Sequence, residues 1–317
     1  MNMLHETILP DDVVSYLEYL AAQGRRPSTI KRYKYDLEDF FRYMNEQQKD
    51  PKKWKTFSNE DYHTFFHILL TERHYSLATM KRMHTVLKRL NRFYQIKHNP
   101  PEISMHLEKK RLGADDFIQE AEKEKLLQTV VSTKGLTDNQ LKARHLLFDR
   151  NLSIVRLLLD YGLTLHELAS LRMKDVHFER NELDIPSVSS LARTIKLSDE
   201  DKQLLYRYLK TIPEPVRPRY HSHDPLFAAF DFQRCTYRWV YEKDAPKRLT
   251  EIAIQKMIRE EIARAGLRKG ISAQHMRNTC IINQIQEGLS AEDIQRHFGF
   301  KTPLSLKRFY NYLSTRE

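Results

Sequence analysis

Hydrophobic side chains recur every three or four residues along most of the chain, which is the spacing of one buried face of an α-helix. In the first hundred residues this pattern predicts four helices, over residues 11–24, 29–44, 59–72 and 76–94. Gly24 fits a helix end, Ser28 fits the N-cap position of the second helix, and the fourth helix is predicted to begin at Ser76. The first part of the chain is therefore predicted to be a small helical bundle.

A segment rich in turn-forming residues separates this bundle from the rest of the chain. Between His98 and Asp116 lie a Pro-Pro pair, a glycine and a short run of charges, a composition typical of a domain boundary. We therefore predict a domain over residues 1–98, a linker over 99–116 and a second domain over 117–317.

The second domain is predicted to be mostly helical with a minor sheet. The fragments LDIPSV and ARTIKL have the composition of strands with a short turn between them, so they predict a small hairpin. Helical periodicity covers most of the remainder, over residues 116–131, 138–161, 199–211, 249–265, 275–287, 290–298 and 303–313. The fold class is therefore mainly α, with a small antiparallel sheet.

Two of the predicted helices carry a basic face beside their apolar one. In the fourth helix, Met83, Leu87, Leu90 and Tyr94 form the apolar stripe. The basic positions are Lys81, Arg82, Lys88, Arg89 and Arg92 in the fourth helix, and Arg25, Arg26, Lys31, Arg32 and Lys34 around the second. A solvated surface is the ordinary interpretation of one such face, but two in one bundle favour contact with the phosphate backbone of DNA.

Net charge supports a nucleic-acid partner. The 317-residue chain has 53 Lys+Arg against 42 Asp+Glu, a formal charge of +11 and a pI near 9.4. Such an excess favours a polyanion. Residues 1–112 hold 20 Lys+Arg against 14 Asp+Glu, which makes them the more basic part of the chain per residue.

Composition argues against several other classes of protein. Only 8 glycines are present, too few to suggest a nucleotide-binding loop, and 2 cysteines cannot form a disulfide framework or a four-cysteine zinc site. No cofactor or metal is therefore expected. No apolar run approaches the ~20 residues of a membrane span, and the first residues do not resemble a signal peptide, so a cytoplasmic location in a bacterial host cell is expected.

Five fragments, in order and with fitting gaps, resemble the segments of a known family. GRRPSTIKRYKYDLEDFFRYM and SLATMKRMHTVLKRLNRFYQIKHNPP lie in the first domain, and LLLDYGLTLHELASLRMKDVHF, QHMRNTCIINQIQEGLSAEDIQRHFGF and LKRFYNYL lie in the second. The family is the tyrosine recombinases, or phage integrases. The resemblance implies a helical core-binding (SAM-like) DNA-binding domain over 1–98 and a recombinase-like catalytic-type domain over 117–317, with double-stranded DNA as the partner.

The family's chemistry depends on a few reacting groups. A tyrosine attacks a DNA phosphodiester, two arginines and a histidine or tryptophan stabilise the transition state, and a lysine protonates the leaving oxygen. The resemblance places Arg277 at one of the two arginine positions, where it is expected either to contact a DNA phosphate or to pair with Glu167. Residues of different chemistry stand at the other positions, namely Thr164, Leu191, Gln274, Phe300 and Phe309, and Arg193 and Lys196 follow the lysine position on the next strand.

These replacements lead us to expect a protein that binds DNA without cutting it. The expected function is a catalytically inactive, sequence-specific DNA-binding protein that regulates or represses transcription of a phage or mobile element. Self-association on DNA and a protein antagonist are further expectations. The alternatives are an active recombinase whose nucleophile is Tyr310 or Tyr312, and an accessory protein that binds a recombinase.

Overall fold

The chain divides into two compact units, Met1–Lys110 and Arg111–Glu317. The computed structural model describes residues 9–100, 111–187 and 190–315. Residues 101–110 of the predicted linker and Val188 at the end of the first predicted hairpin strand lie outside the described residues. Each unit buries an apolar cluster of its own, and the second unit contains two such clusters.

The described residues of the first unit, 9–100, form four helices. They are α1 Asp11–Ala22, α2 Pro27–Glu46, α3 Asn59–Thr71 and α4 Leu77–Phe93, with a 3₁₀ segment Pro51–Thr56 between α2 and α3. Ser58 and Ser76 cap α3 and α4 by accepting backbone hydrogen bonds. The expected Ser28 cap is wrong, because α2 already begins at Pro27, whose nitrogen has no hydrogen to satisfy in the first turn of a helix.

Aromatic side chains fill the core of this bundle. Phe40 of α2 is fully buried, and its ring centroid lies 5.2 Å from those of Phe57 and Phe65. Trp54 is also buried, and its Nε1 donates to the carboxylate of Asp12 at 3.1 Å. Because an edge-to-face aromatic pair adds to the stability gained by burial, these contacts stabilise the packing of α2 against α3, and the Trp54–Asp12 hydrogen bond joins α1 to the 3₁₀ segment.

In the part of the second unit that the structure describes, eight helices make up most of the fold. They are α5 Glu120–Val131, α6 Asp138–Leu159, α7 Leu165–Ser170, α8 Asp199–Thr211, α9 Glu251–Arg264, α10 Ala273–Gln286, α11 Ala291–Phe298 and α12 Lys307–Ser314. The longest, α6, packs against α5, α8 and α10. The short α7 was not predicted, because six residues are too few to show a helical period. In the described part of the chain, no helix is both long and apolar enough to cross a membrane.

A three-stranded antiparallel sheet in the order β1-β2-β3 confirms the predicted hairpin and adds one strand. Its strands are β1 Val176–His177, β2 Glu182–Ile185 and β3 Arg193–Lys196, and Leu183 pairs with Ile195 in the hairpin. Two further antiparallel pairs of strands were not predicted. They are β4 Phe230–Asp231 with β5 Thr236–Tyr237, and β6 Trp239–Val240 with β7 Ala245–Pro246. The predicted fold class, mainly α with a small antiparallel sheet, is confirmed.

Candidate functional site

A fully buried carboxylate, that of Glu167, lies at the centre of a charged cluster around α7. Its Oε1 accepts hydrogen bonds from Ser190 Oγ at 2.5 Å and Arg193 Nη1 at 2.6 Å. Its Oε2 accepts from the backbone nitrogen and hydroxyl of Thr164 at 2.8 and 3.0 Å. Burial raises the pKa of Glu167, but the hydrogen bond and charge of Arg193, with the other donors, lower it to about 2. The carboxylate is therefore ionised at neutral pH and joins α7 to the hairpin.

Arg277 of α10 completes this cluster from the inside of the protein. Only 5% of its surface is exposed, and its Nη1 lies 3.7 Å from Glu167 Oε2. Its guanidinium donates to the carbonyls of Gly162 and, at 2.8 Å, Phe298, and it lies 5.3 Å from the ring centroid of Phe300. Burial lowers the pKa of Arg277 to about 10, and the charge of Glu167 opposes the shift. Of the two roles expected for Arg277, the geometry favours the ion partner of Glu167 over an exposed phosphate contact.

Two glycines allow the backbone to approach this cluster closely. Gly162 has a φ of +59°, and a Cβ there would lie 2.4 Å from the ring of Phe298. Gly299 has a φ of +63°, and a Cβ there would lie 2.7 Å from the carbonyl oxygen of Leu191. The backbone nitrogen of Leu191 also donates to the Gly299 carbonyl at 2.9 Å. The loop before β3 is therefore held against the end of α11, with the Leu191 side chain exposed.

The interior of the cluster has an excess of positive charge. Two guanidinium groups, of Arg193 and Arg277, face one carboxylate, and the Nε and Nη2 of Arg193 have no hydrogen-bond partner among the described residues. Burial lowers the pKa of His297 on α11, and the charges of Arg193 and Arg277 lower it further. His297 is therefore neutral at pH 7, because protonating it would add a third positive charge.

A polar network at the surface joins α10 to α12. Asn278 Oδ1 accepts hydrogen bonds from Gln274 Nε2 at 2.8 Å and from Arg308 Nη2 at 3.3 Å. Asn278 Nδ2 donates in turn to the backbone carbonyl of Asp116 at 3.0 Å. Gln274 and Arg308 are both exposed, so the network presents an amide and a guanidinium to the outside of the protein.

The remaining positions singled out by the resemblance have structural partners. Thr164 is the N-cap of α7, and its Oγ1 accepts from the backbone nitrogen of Glu167 at 3.2 Å. Phe300 is partly buried against Arg277. Phe309 is fully buried in the apolar cluster that also contains Phe298.

The two tyrosines of α12 have different surroundings. Tyr310 follows the buried Phe309 and is 39% exposed. Tyr312 is partly buried, and its ring centroid lies 4.6 Å from that of Phe117. Tyr310 is therefore the better placed of the two to present its hydroxyl to a large substrate.

A pocket of about 550 Å³ lies beside this site, between α7, α9 and α10. Thr164, Gln274 and Arg277 line it, together with a hydrogen-bonded pair in which His166 Nδ1 lies 2.6 Å from Glu251 Oε1. His166 Nε2 has no hydrogen-bond partner among the described residues. The carboxylate of Glu251 therefore orients the imidazole ring at the edge of the pocket.

Helices α2 and α4, which carry most of the basic side chains predicted to contact DNA, are neighbours. Two polar contacts join them. Arg82 donates from Nε and Nη2 to the buried carboxylate of Asp36 at 2.8 and 2.9 Å, and Arg89 Nη1 donates to the hydroxyl of Tyr33 at 2.8 Å. Hydrogen bonding to Asp36 raises the pKa of Arg82. The guanidinium of Arg82 is thus bound internally, which makes it a weaker candidate for DNA contact than the sequence suggested.

The other basic positions of the first unit lie at or near the surface. Those with exposed side chains are Arg25, Arg26, Lys31, Arg32, Lys34, Arg89 and Arg92, and those that are partly buried are Lys81 and Lys88. Two ion pairs lie within α2: Arg32 is 3.8 Å from the buried Asp36, which Arg82 already binds, and Lys34 is 3.7 Å from Glu38 in a pair nearer the surface that contributes little. Contact between this surface and DNA stays a prediction.

Several residues of the candidate site were missed by reasoning from the sequence. Asn278, His297 and Arg308 lie in the fragments that resemble the family, and Ser190 lies between the two predicted hairpin strands, but their spacing along the chain does not reveal their contacts. One signal was available for Arg308, which is a cation two residues before Tyr310 in a segment already singled out.

Comparison with known proteins finds two family models along the chain. The model of the phage integrase family matches residues 116–316, and that of the phage integrase N-terminal SAM-like domain matches residues 13–98.

The curated relatives match the chain over most of its length. The tyrosine recombinase XerD of Oceanobacillus iheyensis is 23% identical over 295 residues, which cover 92% of this chain and 90% of the relative. The tyrosine recombinase XerC of Lactobacillus delbrueckii subsp. bulgaricus is 21% identical over 309 residues, which cover 96% and 94%.

Solved structures share the fold. The XerH site-specific recombinase bound to its difH substrate has a TM-score of 0.65 at 17% identity, covering 95% of this chain and 83% of that one. The Tn1549 transposon integrase in complex with transposon right-end DNA has a TM-score of 0.61 at 18% identity, covering 95% and 97%.

These comparisons contradict two expectations drawn from the sequence. The chain was expected to be no enzyme and to act as an inactive transcriptional regulator, yet its named relatives are tyrosine recombinases. The physical error was to treat each replaced position as a lost function. The structure brings other cations, Arg193 and Arg308, to the same region.

Proposed function

The chain belongs to the phage integrase family, and from this premise we propose that it is a tyrosine recombinase, which cuts and rejoins double-stranded DNA. The observation that carries the proposal is the match of both family models, in the family's order, along one chain whose relatives are named tyrosine recombinases. The protein works as a multimer on DNA in the bacterial cytoplasm, as a dimeric lambda integrase bound to a core site suggests. A protein antagonist stays a prediction.

The reaction needs a nucleophile at the surface, and Tyr310 supplies it. Its phenolic oxygen attacks a phosphodiester, so that a Tyr–O–P bond forms at the 3′ side of the break and the P–O5′ bond breaks. The phenol loses its proton, and the leaving 5′ oxygen gains one. The reverse reaction with the 5′ hydroxyl of a second strand restores the phosphodiester, so strand exchange needs neither a cofactor nor an external energy source.

The surface around α10 and α12 supplies groups that bind the attacked phosphate. Arg308 and Gln274 are exposed and share Asn278 as a partner, so both present N–H donors on one surface. A charge-assisted hydrogen bond from a guanidinium to phosphate stabilises the additional negative charge of the transition state. The buried cluster of Glu167, Arg193 and Arg277 holds α7, the hairpin and α10 in place behind this surface.

Binding of duplex DNA is expected to depend steeply on salt. The chain has a formal charge of +11, and the basic surface of α2 and α4 is part of that excess. If about six phosphates are neutralised, the logarithm of the association constant falls with the logarithm of salt concentration with a slope of about −5. Replacing Lys88, Arg89 and Arg92 together by alanine is expected to weaken binding to all sequences about equally. Fluorescence anisotropy with labelled duplexes at several salt concentrations measures both effects.

The variant Arg82→Ala provides a matched control for this measurement. Arg82 is bound to the buried Asp36. Its loss is therefore expected to lower the melting temperature of the first unit and to have little effect on the DNA affinity. A salt slope near zero for the unchanged protein contradicts the proposed DNA surface.

Covalent capture on a nicked duplex tests the proposed reaction itself. Footprinting first defines a protected site, and a nick is then placed so that cleavage releases a short fragment and traps the phosphotyrosyl intermediate. We expect a DNA-linked species that survives denaturing electrophoresis and disappears after protease digestion. If DNA binds at a discrete site and no covalent species forms with either strand nicked at any position, the proposed enzymatic function is wrong.

A further inference from the structure

A second pocket, of about 600 Å³, lies in the second unit between α6, α9, strand β4 and the segment 247–249 that precedes α9. One stripe of α6 lines it, with Gln140, Arg144, Leu147 and Asn151 spaced by four, three and four residues as on one helical face. The opposite wall comes from α9 and includes Met257 and Glu261. Aromatic rings, of Phe230 and Phe232, close the remaining side.

Arg144 is buried in the wall of this pocket, and its guanidinium lies 5.7 Å from the ring centroid of Phe148 but lacks hydrogen-bond partners for two of its three nitrogens among the described residues. The residue is 8% exposed, and its Nε and Nη2 have no hydrogen-bond partner among the described residues. Its one ion pair there is with Glu261, at 3.6 Å between Arg144 Nη1 and Glu261 Oε1. A buried charged donor without an acceptor is destabilising by an amount comparable with a whole hydrogen bond or more.

The carboxylate of Glu261 does not neutralise Arg144, because a second arginine already binds it. Arg264 donates to Glu261 Oε2 from Nε at 3.1 Å and from Nη2. The buried group of Arg144, Arg264 and Glu261 therefore contains two positive charges and one negative charge. Burial lowers the pKa of Arg144, and the charge of Arg264 lowers it further, although Glu261 opposes both. This buried group of three residues thus has a net charge of +1 beside the pocket.

Other arginines that line the pocket are bound to the protein. Arg150 donates to Asn151 Oδ1 and, at 3.1 Å, to the carbonyl of Ala228. Arg248 donates to the carbonyls of Ala169 and Leu171 at 2.7 and 2.8 Å. These contacts distinguish Arg144, whose position is fixed and whose hydrogen-bonding capacity is largely unused.

From this arrangement we propose that the pocket binds a small organic anion, with a carboxylate or phosphate group paired with Arg144 and an apolar body against Phe230 and Phe232. The anion supplies the negative charge that Glu261 shares with Arg264, and its oxygens accept hydrogen bonds from the guanidinium. The aromatic wall gives affinity for an apolar body through burial of its surface. The ligand of this pocket is separate from the DNA substrate, and its binding does not depend on the proposed recombinase reaction.

Phenyl phosphate, inorganic phosphate and benzoate are suitable probes. The first and third combine an anionic group with an apolar ring, whereas inorganic phosphate has the anionic group alone, so comparing them separates the contributions of the two parts. Isothermal titration calorimetry on the full-length protein is expected to give a dissociation constant of about 1 mM or lower for phenyl phosphate or benzoate. Inorganic phosphate is expected to bind at least about tenfold more weakly, since it lacks the apolar body. A stronger response to phenyl phosphate than to benzoate identifies a phosphate ligand, and the reverse identifies a carboxylate.

Two variants locate the site. Arg144→Met is expected to weaken probe binding by about tenfold or more, while leaving the unliganded protein at least as stable, because it removes a buried positive charge that Glu261 only partly offsets. Phe232→Ala, at a side chain that is 43% exposed, is expected to weaken phenyl phosphate binding without changing that of inorganic phosphate. Arg296→Met changes an exposed arginine on α11 outside the pocket and is the matched control.

Three results would overturn the proposal. The first is that neither phenyl phosphate nor benzoate binds, and the second is that both bind equally to Arg144→Met and to the unchanged protein. The third is that duplex DNA competes with the probe and that Arg144→Met loses affinity for DNA by the same factor as for the probe. That result would make the pocket part of the DNA surface. A failure of covalent DNA capture leaves each of these measurements interpretable, because none of them requires cleavage.

Discussion

Changing Tyr310 to phenylalanine is expected to abolish covalent capture of DNA, with a loss of more than about 10³-fold in the rate of adduct formation. The change removes only the hydroxyl that forms the bond to phosphorus. The ring stays, and because Tyr310 is 39% exposed and the neighbouring Phe309 fills the apolar cluster, the melting temperature is expected to stay the same. Capture on the nicked duplex, followed by denaturing electrophoresis, measures the effect.

Tyr312→Phe is the matched control for this experiment. Tyr312 packs against Phe117 through its ring, and phenylalanine preserves that contact. Tyr312→Phe is therefore expected to form the adduct at the rate of the unchanged protein. If Tyr312→Phe abolishes the adduct and Tyr310→Phe does not, the nucleophile is Tyr312 and our assignment of Tyr310 is wrong. DNA affinity, measured in parallel, separates a loss of chemistry from a loss of binding.

Replacing Glu167 by glutamine is expected to lower the free energy of unfolding of the second unit by about 3 to 5 kcal/mol, the usual cost of removing one partner from a buried ion pair. Glutamine preserves the size of the side chain but leaves the buried Arg193 and Arg277 without a counter-charge. Urea or thermal unfolding monitored by circular dichroism measures the loss.

Lowering the pH is expected to reproduce part of the destabilisation caused by Glu167→Gln. The pKa of Glu167 is about 2 in the folded protein, below its ordinary value of 4.5, so its stabilising contribution is fully present above pH 4.5. The contribution is lost as pH falls from 4.5 toward 2. The difference in melting temperature between the unchanged protein and Glu167→Gln is therefore expected to be constant above about pH 5 and to shrink at lower pH.

The variant Glu182→Gln is the control for both measurements. Glu182 forms an exposed ion pair with Arg180, at 2.9 Å between Arg180 Nε and Glu182 Oε2, and such pairs contribute about 1 kcal/mol or less. If Glu167→Gln is no more destabilising than Glu182→Gln, the buried cluster does not hold the site together. If Glu167→Gln is destabilising as expected, the double variant Glu167→Gln, Arg193→Met tests whether removing one of the two buried positive charges restores stability.

The predictable features of the fold are those encoded in neighbouring residues. The helical periods and the hairpin of β2 and β3 each depend on residues close together along the chain, so they can be predicted from a short stretch of sequence. The short α7 and the two-residue strands β4 to β7 were not predicted, because segments of two to six residues carry too little pattern to show a period.

The candidate site was predictable only where a family motif marks it. The positions of Thr164, Gln274 and Arg277 came from resemblance, and the inference of inactivity went wrong because single positions were judged without their surroundings. Nothing near Arg277 in the sequence indicates that it donates to the carbonyl of Gly162, 115 residues earlier.

By itself the sequence determined the helical fold class, the basic surface of α2 and α4 and the likeness to a DNA-recombining family, because periodicity, charge and motif order are properties of the linear chain. The tertiary structure alone decided which charges are buried and with what partners. Glu167 meets Arg193 across 26 residues, and the charge of Arg144 beside the pocket is only partly offset because α9 brings both Glu261 and Arg264 to it. Burial and pairing depend on which distant segments pack together, and in a water-poor interior they decide whether a charge stabilises the fold or is left to bind a ligand.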